Sequence, residues 1–122
     1  MNRPRLSLLL LALTGMLPGC AKDVERESQS RLAVRWLIKA PASRVDGALQ
    51  RVVKVGEYAL PDIEQEMHSA PQAGRARLLR ALERIGSPRA LPFVRFLSHW
   101  DTDDAVRRQA KVLVATLRRG KK

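Results

Sequence analysis

Cys20, the single cysteine of the sequence, follows an apolar run and could be modified covalently. A thiolate is a nucleophile, and a lone cysteine excludes an intramolecular disulfide. The run LSLLLLALTGML, from Leu6 to Leu17, follows a basic start with two arginines and no acid. A helix of that length spans about 18 Å, too little for a hydrocarbon core of about 30 Å. These features are typical of a secretory signal peptide.

The residues before the cysteine carry a resemblance to a known family. The stretch LPGC, from Leu17 to Cys20, resembles the lipobox of bacterial lipoproteins, with Gly19 at its small position. Pro18 stands where that family usually has Ala, Ser, Thr or Val. The resemblance implies that residues 1–19 are a lipoprotein signal peptide and that Cys20 becomes the lipidated first residue. Two or more acyl chains would hold the protein stably on a membrane.

The residues after the cysteine bear on location. Ala21 stands where an aspartate would imply inner-membrane retention. The resemblance therefore implies a lipid-anchored protein of the cell envelope, on the outer membrane and facing the periplasm. Residues 20–30 are polar and lack apolar periodicity, which predicts a short tether, with a frayed start of the first helix as the alternative. The alternative is a cytosolic protein with an apolar first helix and an inert cysteine.

Basic residues are the second group that could bind a partner. The net charge is +11, and 19 of the 23 basic residues but only 9 of the 12 acidic ones follow Ser30. Such a field attracts anionic partners. Several basic residues recur at spacings that place them on one side of a helix, although a merely solvated face is the alternative. The candidate surface consists of Arg51, Lys54, Arg77, Arg80, Arg84, Arg107, Lys111 and Arg118.

Other polar residues give no pattern of catalysis. Acids concentrate around one predicted helix, on its outer side, where they can pair with arginines of a neighbouring helix but do not converge in a cleft. His68 and His99 are equivalent in the repeat described below, but no third ligand follows at metal spacing. No phosphate loop, dinucleotide fingerprint or nucleophile triad is present. No catalytic residue, metal or cofactor is therefore expected. The acids are Glu57, Asp62, Glu64 and Glu66.

A repeat of about 31 residues provides the elements that must position these side chains. The segments VGEYALPDIEQEMH (Val55–His68) and IGSPRALPFVRFLSH (Ile85–His99) share an apolar residue and glycine, then Ala-Leu-Pro, and a final histidine. Two helical patterns per period predict stacked helix pairs. Three pairs are predicted, with helices over residues 29–40, 44–55, 58–68, 74–85, 87–99 and 102–118.

Turn residues predict the ends of these helices. Pro41 ends the first helix, and Gly56 and Gly86 suit the left-handed residue after a helix. The expected N-caps are Ser43 for the second helix, Ser87 for the fifth, and Asp101 or Thr102 for the sixth.

Apolar residues at helical spacing predict one continuous core. From the first helix, Leu32, Trp36 and Leu37 are expected to face inward. The other expected core residues are Val45, Leu49, Val52, Leu60, Ile63, Met67, Leu78, Leu82, Ile85, Leu91, Val94, Leu97, Val106, Ala110, Leu113 and Leu117.

The last pair carries a second resemblance. The segment LERIGSPRALPFVRFL followed by DTDDAVRRQA is similar to the short bacterial HEAT-like repeat first associated with phycobilin lyases. The resemblance implies an all-α fold, a short α-solenoid of about three HEAT-like helix pairs over residues 31–122. In that family the second helix of each pair lines the concave surface, and the arginine at Arg107 often pairs with a nearby aspartate. The matching residues are Gly86, Pro88, Arg89, Ala90, Leu91, Pro92, Asp104, Val106, Arg107 and Ala110.

These features predict a membrane-anchored, non-enzymatic interaction or scaffold lipoprotein of the bacterial envelope. Its arginine-rich helical surface would hold a protein or an anionic envelope partner, or lie on anionic lipid. Without a working signal peptide, the alternative is a basic nucleic-acid-binding protein of the cytosol. The lyase resemblance leaves an enzyme accessory as a third hypothesis, because fold alone does not determine function.

Overall fold

A computed structural model describes the backbone of residues 18–120 and the side chains of residues 28–120, and the secondary structure of this part of the chain is all helical, with short turns between the helices. Short 3-10 segments, Ala42–Arg44, Gly56–Ala59 and Pro88–Ala90, lead into three of the α-helices. The all-α prediction is confirmed, and the last five helices begin and end within a few residues of their predicted bounds. The six α-helices are α1 (Pro18–Lys39), α2 (Val45–Val55), α3 (Leu60–Met67), α4 (Gln72–Ile85), α5 (Leu91–Trp100) and α6 (Asp104–Arg119).

The first helix is longer than predicted. It begins at Pro18, and so contains Cys20 and residues 20–30, which the sequence predicted as a tether. Polar residues can extend a helix that is already formed, because each added residue contributes a backbone hydrogen bond without a new nucleation step. In residues 18–120 none of the helices combines the length and the apolar composition needed to cross a bilayer. The predicted signal segment up to Leu17 lies outside the described residues.

Consecutive helices pack as pairs, and the pairs pack side by side. α1 contacts α2, α3 contacts α4, and α5 contacts α6. Between pairs, α4 contacts both α2 and α6, so the second helices lie next to one another. Among residues 28–120, four hydrogen bonds between pairs join residues 30 to 33 positions apart, including those from Ser30 to Asp62 and from Ser87 to Glu57, and the others join residues 26 to 40 positions apart. The hydrogen bonds that span 30 to 33 residues correspond to the sequence period of about 31 residues.

The core is one continuous cluster with contributions from all six helices. Every residue expected in it from α2 to α6 is buried, except Ile85, which is partly buried. On α1 the prediction that Leu32 and Trp36 face inward is wrong, because these side chains are 67% and 40% exposed. Val34 and Leu37 are fully buried instead. The reason is that α1 packs against both α2 and α4, and the face toward those two helices is the one that carries Val34 and Leu37.

The caps confirm one prediction and correct two. Ser87 accepts a hydrogen bond from the backbone N–H of Arg89 at 3.2 Å, as expected of an N-cap. Ser43 does not cap α2, because it lies within the 3-10 segment that precedes the helix. Asp103, rather than Asp101 or Thr102, caps α6, its carboxylate accepting from the Val106 N–H at 3.0 Å. The negative charge of Asp103 at the start of α6 interacts favourably with the positive end of the helix dipole.

Two glycines with positive φ mark the equivalent turns between pairs. Gly86 is left-handed, with φ 66° and ψ 19°, as predicted. Gly56 also has a positive φ of 71°, but its ψ of −140° is outside the left-handed region. The connection from Gly56 to the following Ala-Leu-Pro is one residue shorter than the one from Gly86, and its backbone therefore turns differently.

Candidate interaction surface

Basic side chains dominate the exposed face of the second helices. We call α2, α4 and α6, with the turn Ala42–Arg44, the second-helix row. Nine basic side chains of this row are exposed, against three acidic ones, Asp46, Glu83 and Asp104. Among residues 28–120, none of the nine forms an ion pair with another residue. The nine are Arg44, Arg51, Lys54, Arg80, Arg84, Arg108, Lys111, Arg118 and Arg119.

Among residues 28–120, most acids outside this row form ion pairs with arginines of the neighbouring helix pair. Glu57, Asp62 and Glu66 form ion pairs, as the sequence predicted, whereas Glu64 forms none with a described residue. Such partly exposed pairs are each worth about 0–1 kcal/mol, so their main consequence is the distribution of charge. The pairs are Arg31 with Asp62 at 3.8 Å, Arg35 with Glu66 at 2.9 Å, and Arg89 with Glu57 at 3.3 Å.

Arg77 belongs to the candidate surface by sequence, but the structure uses its guanidinium as a helix cap. One terminal nitrogen donates to the carbonyl oxygens of Ala40 at 2.7 Å, Leu37 at 3.1 Å and Ile38 at 3.3 Å. These are carbonyls at the end of α1, which have no partner within their own helix. Arg77 therefore joins α4 to the end of α1, while Arg80 and Arg84 are exposed.

Arg107 is also engaged within the fold. One nitrogen donates to the Asp101 carbonyl at 2.5 Å, and another pairs with the Asp104 carboxylate. Arg107 pairs with a nearby aspartate, but the pair lies within one turn of α6 and does not join neighbouring repeats in the way that the resemblance implied. Its contacts hold the turn that precedes α6, whereas Lys111 and Arg118 on the same helix are exposed.

Arg108 is an exposed basic residue that the sequence analysis missed. It lies three residues before Lys111 and ten before Arg118, which places the three on one side of α6. The signal was present in the sequence. Val106 and Ala110 are both on the core face, so the position two residues after Val106 points away from it. Arg108 is identified when positions are counted from the core residues of the helix, and it is missed when they are counted from one basic residue to the next.

A second, buried arginine–aspartate pair stabilises the turns around α4 and α6. Arg75 Nε lies 3.0 Å from Asp101 Oδ2, and the two side chains are only 17% and 4% exposed. Arg75 also donates to the Ala70 carbonyl at 2.8 Å, and Asp101 Oδ1 accepts from the Asp103 N–H at 2.9 Å. These contacts join the loop before α4 to the turn before α6. The pair is inaccessible to a large partner.

The exposed apolar residues of α1 form one wall of an open cleft. Leu32 and Trp36, which the core does not take up, face α2 across this cleft of about 810 Å³. Tyr58, which is 65% exposed, lies at one end. Among residues 28–120, two basic residues and no acid contribute to the lining. The lining residues are Gln29, Leu32, Ala33, Trp36, Arg51, Lys54, Val55 and Tyr58.

The two histidines of the repeat lie at exposed helix ends. His68 is the C-cap of α3, and His99 is in the last turn of α5. Both are exposed. Among the side chains of residues 28–120, no three His, Cys, Asp or Glu residues are grouped closely enough to hold a metal ion.

Comparison with protein-family models, curated proteins and solved structures finds no match to this chain. What the protein does has to be inferred from the chemistry of its own surfaces.

Proposed function

We propose that this protein is a membrane-anchored, non-enzymatic interaction module of the bacterial cell envelope. Its second-helix row binds an anionic partner, either an acidic protein or an anionic envelope polymer. The observation that carries the proposal is the separation of charge. Glu57, Asp62 and Glu66 are paired with arginines outside the row, whereas nine exposed basic side chains of the row have no ion-pair partner among residues 28–120. An uncompensated cationic face concentrates anions and accelerates association.

The proposed architecture is a short α-solenoid of about three HEAT-like helix pairs. Two observations support it: the contacts of α4 with α2 and α6, and the hydrogen bonds between residues 30 to 33 positions apart. In a stack of repeats each unit contacts its neighbours through equivalent positions. The second helices line the concave side of such solenoids, so the basic row would be the binding face.

The proposed anchor is a lipid on Cys20. The helix α1 includes Cys20 and continues through Ser30, which is buried. Ten residues of helix span about 15 Å, whereas the same residues fully extended would span up to about 35 Å. A helical connection would therefore hold the domain close to the bilayer surface, where an envelope partner is reached.

Labelled palmitate tests the anchor. We expect label in the wild-type protein but none in Cys20→Ser, with the wild type in the outer-membrane fraction, because only the thiol at position 20 can accept the lipid. Soluble, unlabelled wild-type protein would overturn the anchor. The ligand of the cationic row would then be sought in the cytosol, and binding to nucleic acid would be tested first.

Charge reversal tests the binding face. Arg80→Glu/Arg84→Glu removes two exposed cations of the row, and Lys39→Glu/Arg95→Glu removes two exposed cations outside it. Both variants change the net charge by the same amount, so a difference between them reports position alone. We expect the first to raise the Kd for polyglutamate by at least about tenfold, or about 1.4 kcal/mol, and the second by less than about threefold. The measurement is a titration at fixed salt.

Arg77 is left out of this design because its replacement would uncap α1 as well as remove a charge. Equal losses in the two variants would show that polyglutamate responds to net charge, and the row would then be an ordinary solvated surface. A parallel titration with a short DNA duplex separates the nucleic-acid alternative. Tight duplex binding favours that alternative only if the palmitate label is also absent.

A further inference from the structure

The cleft between α1 and α2 is lined by large apolar side chains, which the binding of anions does not require. Leu32 and Tyr58 are 67% and 65% exposed, and Trp36 is 40% exposed. Isolated apolar residues on a surface are ordinary, but here three large ones line the same concave space. Apolar clefts of this size with a few polar groups are typical of binding sites, and a partly exposed tryptophan is a common anchor of interfaces.

The shape of the cleft indicates a helical occupant. Its α1 wall runs from Gln29 to Trp36, which is about 10 Å or two helical turns. Its α2 wall is formed by Arg51, Lys54 and Val55. A groove between two helices, two turns long and apolar at its base, fits an amphipathic helix that presents apolar side chains at positions i and i+4.

The charge of the rim selects the occupant. Arg51 and Lys54 are exposed, and among residues 28–120 they have no ion-pair partner and no acid lies beside them in the lining of the cleft. A second copy of this chain would bring a net charge of +11 to the same place and be repelled. The chain's own apolar run is preceded by two arginines and no acid, which fits the rim no better. A concave base also favours an inserted segment over a flat lipid surface.

We propose that this cleft binds an acidic amphipathic helix of a partner protein. Apolar side chains of that helix contact Leu32, Trp36 and Tyr58, and its acidic residues pair with Arg51 and Lys54. The proposal rests on the proposed function only in that Arg51 and Lys54 belong to the second-helix row. The apolar residues of the proposed site lie outside that row, on α1 and the turn before α3. An experiment can therefore contradict one of the two proposals without contradicting the other.

Trp36 provides the measurement. The sequence has two tryptophans, and Trp100→Phe leaves Trp36 as the single reporter in the cleft. The full chain, held in nanodiscs of neutral phosphatidylcholine, is titrated with a leucine- and glutamate-based amphipathic peptide of about four helical turns. We expect a blue shift of Trp36 emission and a Kd at least about tenfold lower than that of the same peptide with lysine in place of glutamate.

Variants with matched controls locate the peptide. Leu32→Ser should raise the Kd at least about tenfold, whereas Val112→Ser, equally exposed on α6, should leave it within about twofold. Arg51→Glu/Lys54→Glu should weaken binding by a similar factor, and Lys39→Glu/Arg95→Glu, which changes the net charge equally outside the row, by less than about threefold. Loss of polyglutamate binding with the Trp36 blue shift retained in Arg80→Glu/Arg84→Glu would show that row and cleft are separate sites.

Several outcomes would overturn the proposal. One is no shift up to about 1 mM peptide. Another is equal affinity for the acidic and basic peptides, and a third is insensitivity to Leu32→Ser. A blue shift on moving the protein to phosphatidylglycerol nanodiscs without peptide, abolished by Leu32→Ser, would assign the cleft to lipid. A concentration-dependent dimer that Leu32→Ser dissociates would assign it to a second copy.

Discussion

Replacing Asp101 with alanine is expected to lower the free energy of unfolding by about 3–5 kcal/mol. Asp101 is buried, and its removal leaves the Arg75 guanidinium without a counter-ion in a site where that side chain is 17% exposed. The Asp103 N–H also loses its acceptor. A loss of this size is a large part of the 5–15 kcal/mol typical of a small domain. Urea denaturation followed by circular dichroism measures it.

Asp104→Ala is the matched control, since Asp104 is in the same turn and also pairs with an arginine. Its side chain is 72% exposed, so we expect a loss below about 1 kcal/mol. Adding Arg75→Met to Asp101→Ala should recover part of the larger loss, because no buried charge then remains. Similar losses for the two single variants would contradict the assignment of Asp101–Arg75 as the buried pair.

Leu37→Ala is expected to lower the free energy of unfolding by about 2–5 kcal/mol, whereas Leu32→Ala should change it by less than about 0.5 kcal/mol. Both leucines are on α1, but Leu37 is fully buried and Leu32 is 67% exposed. The first change removes packed methyl groups and leaves a cavity. The second removes surface that water already reaches. Urea midpoints with unchanged m-values provide the comparison.

This pair of leucines also separates stability from binding. If Leu32 were part of the core, Leu32→Ala would destabilise the protein as much as Leu37→Ala. Weaker peptide binding by a Leu32 variant would then result from misfolding and not from the loss of a contact in the cleft. If Leu32 lines the cleft, its replacement weakens the peptide complex without lowering stability. A large loss of stability in Leu32→Ala would therefore contradict both the exposure of Leu32 on α1 and the proposed peptide site.

The arginine candidates show why spacing in one helix identifies only part of a surface. Arg77, Arg80 and Arg84 follow one another at i, i+3 and i+7, and by sequence they are equivalent. Only Arg77 reaches the end of α1, whose free carbonyls bind it. The end of α1 lies 37 residues earlier in the chain than Arg77, so no local pattern places the two together.

The sequence by itself determined the all-α class, the helix ends marked by proline and glycine, the 31-residue period and the core positions of α2 to α6. These follow from local chemistry, since φ preferences, capping and the 3.6-residue period act within a few residues. Only the tertiary structure decided that Val34 and Leu37, rather than Leu32 and Trp36, face the core. α1 has apolar residues on two sides, and the contacts with α2 and α4 determine which side is buried and which is left to line the cleft.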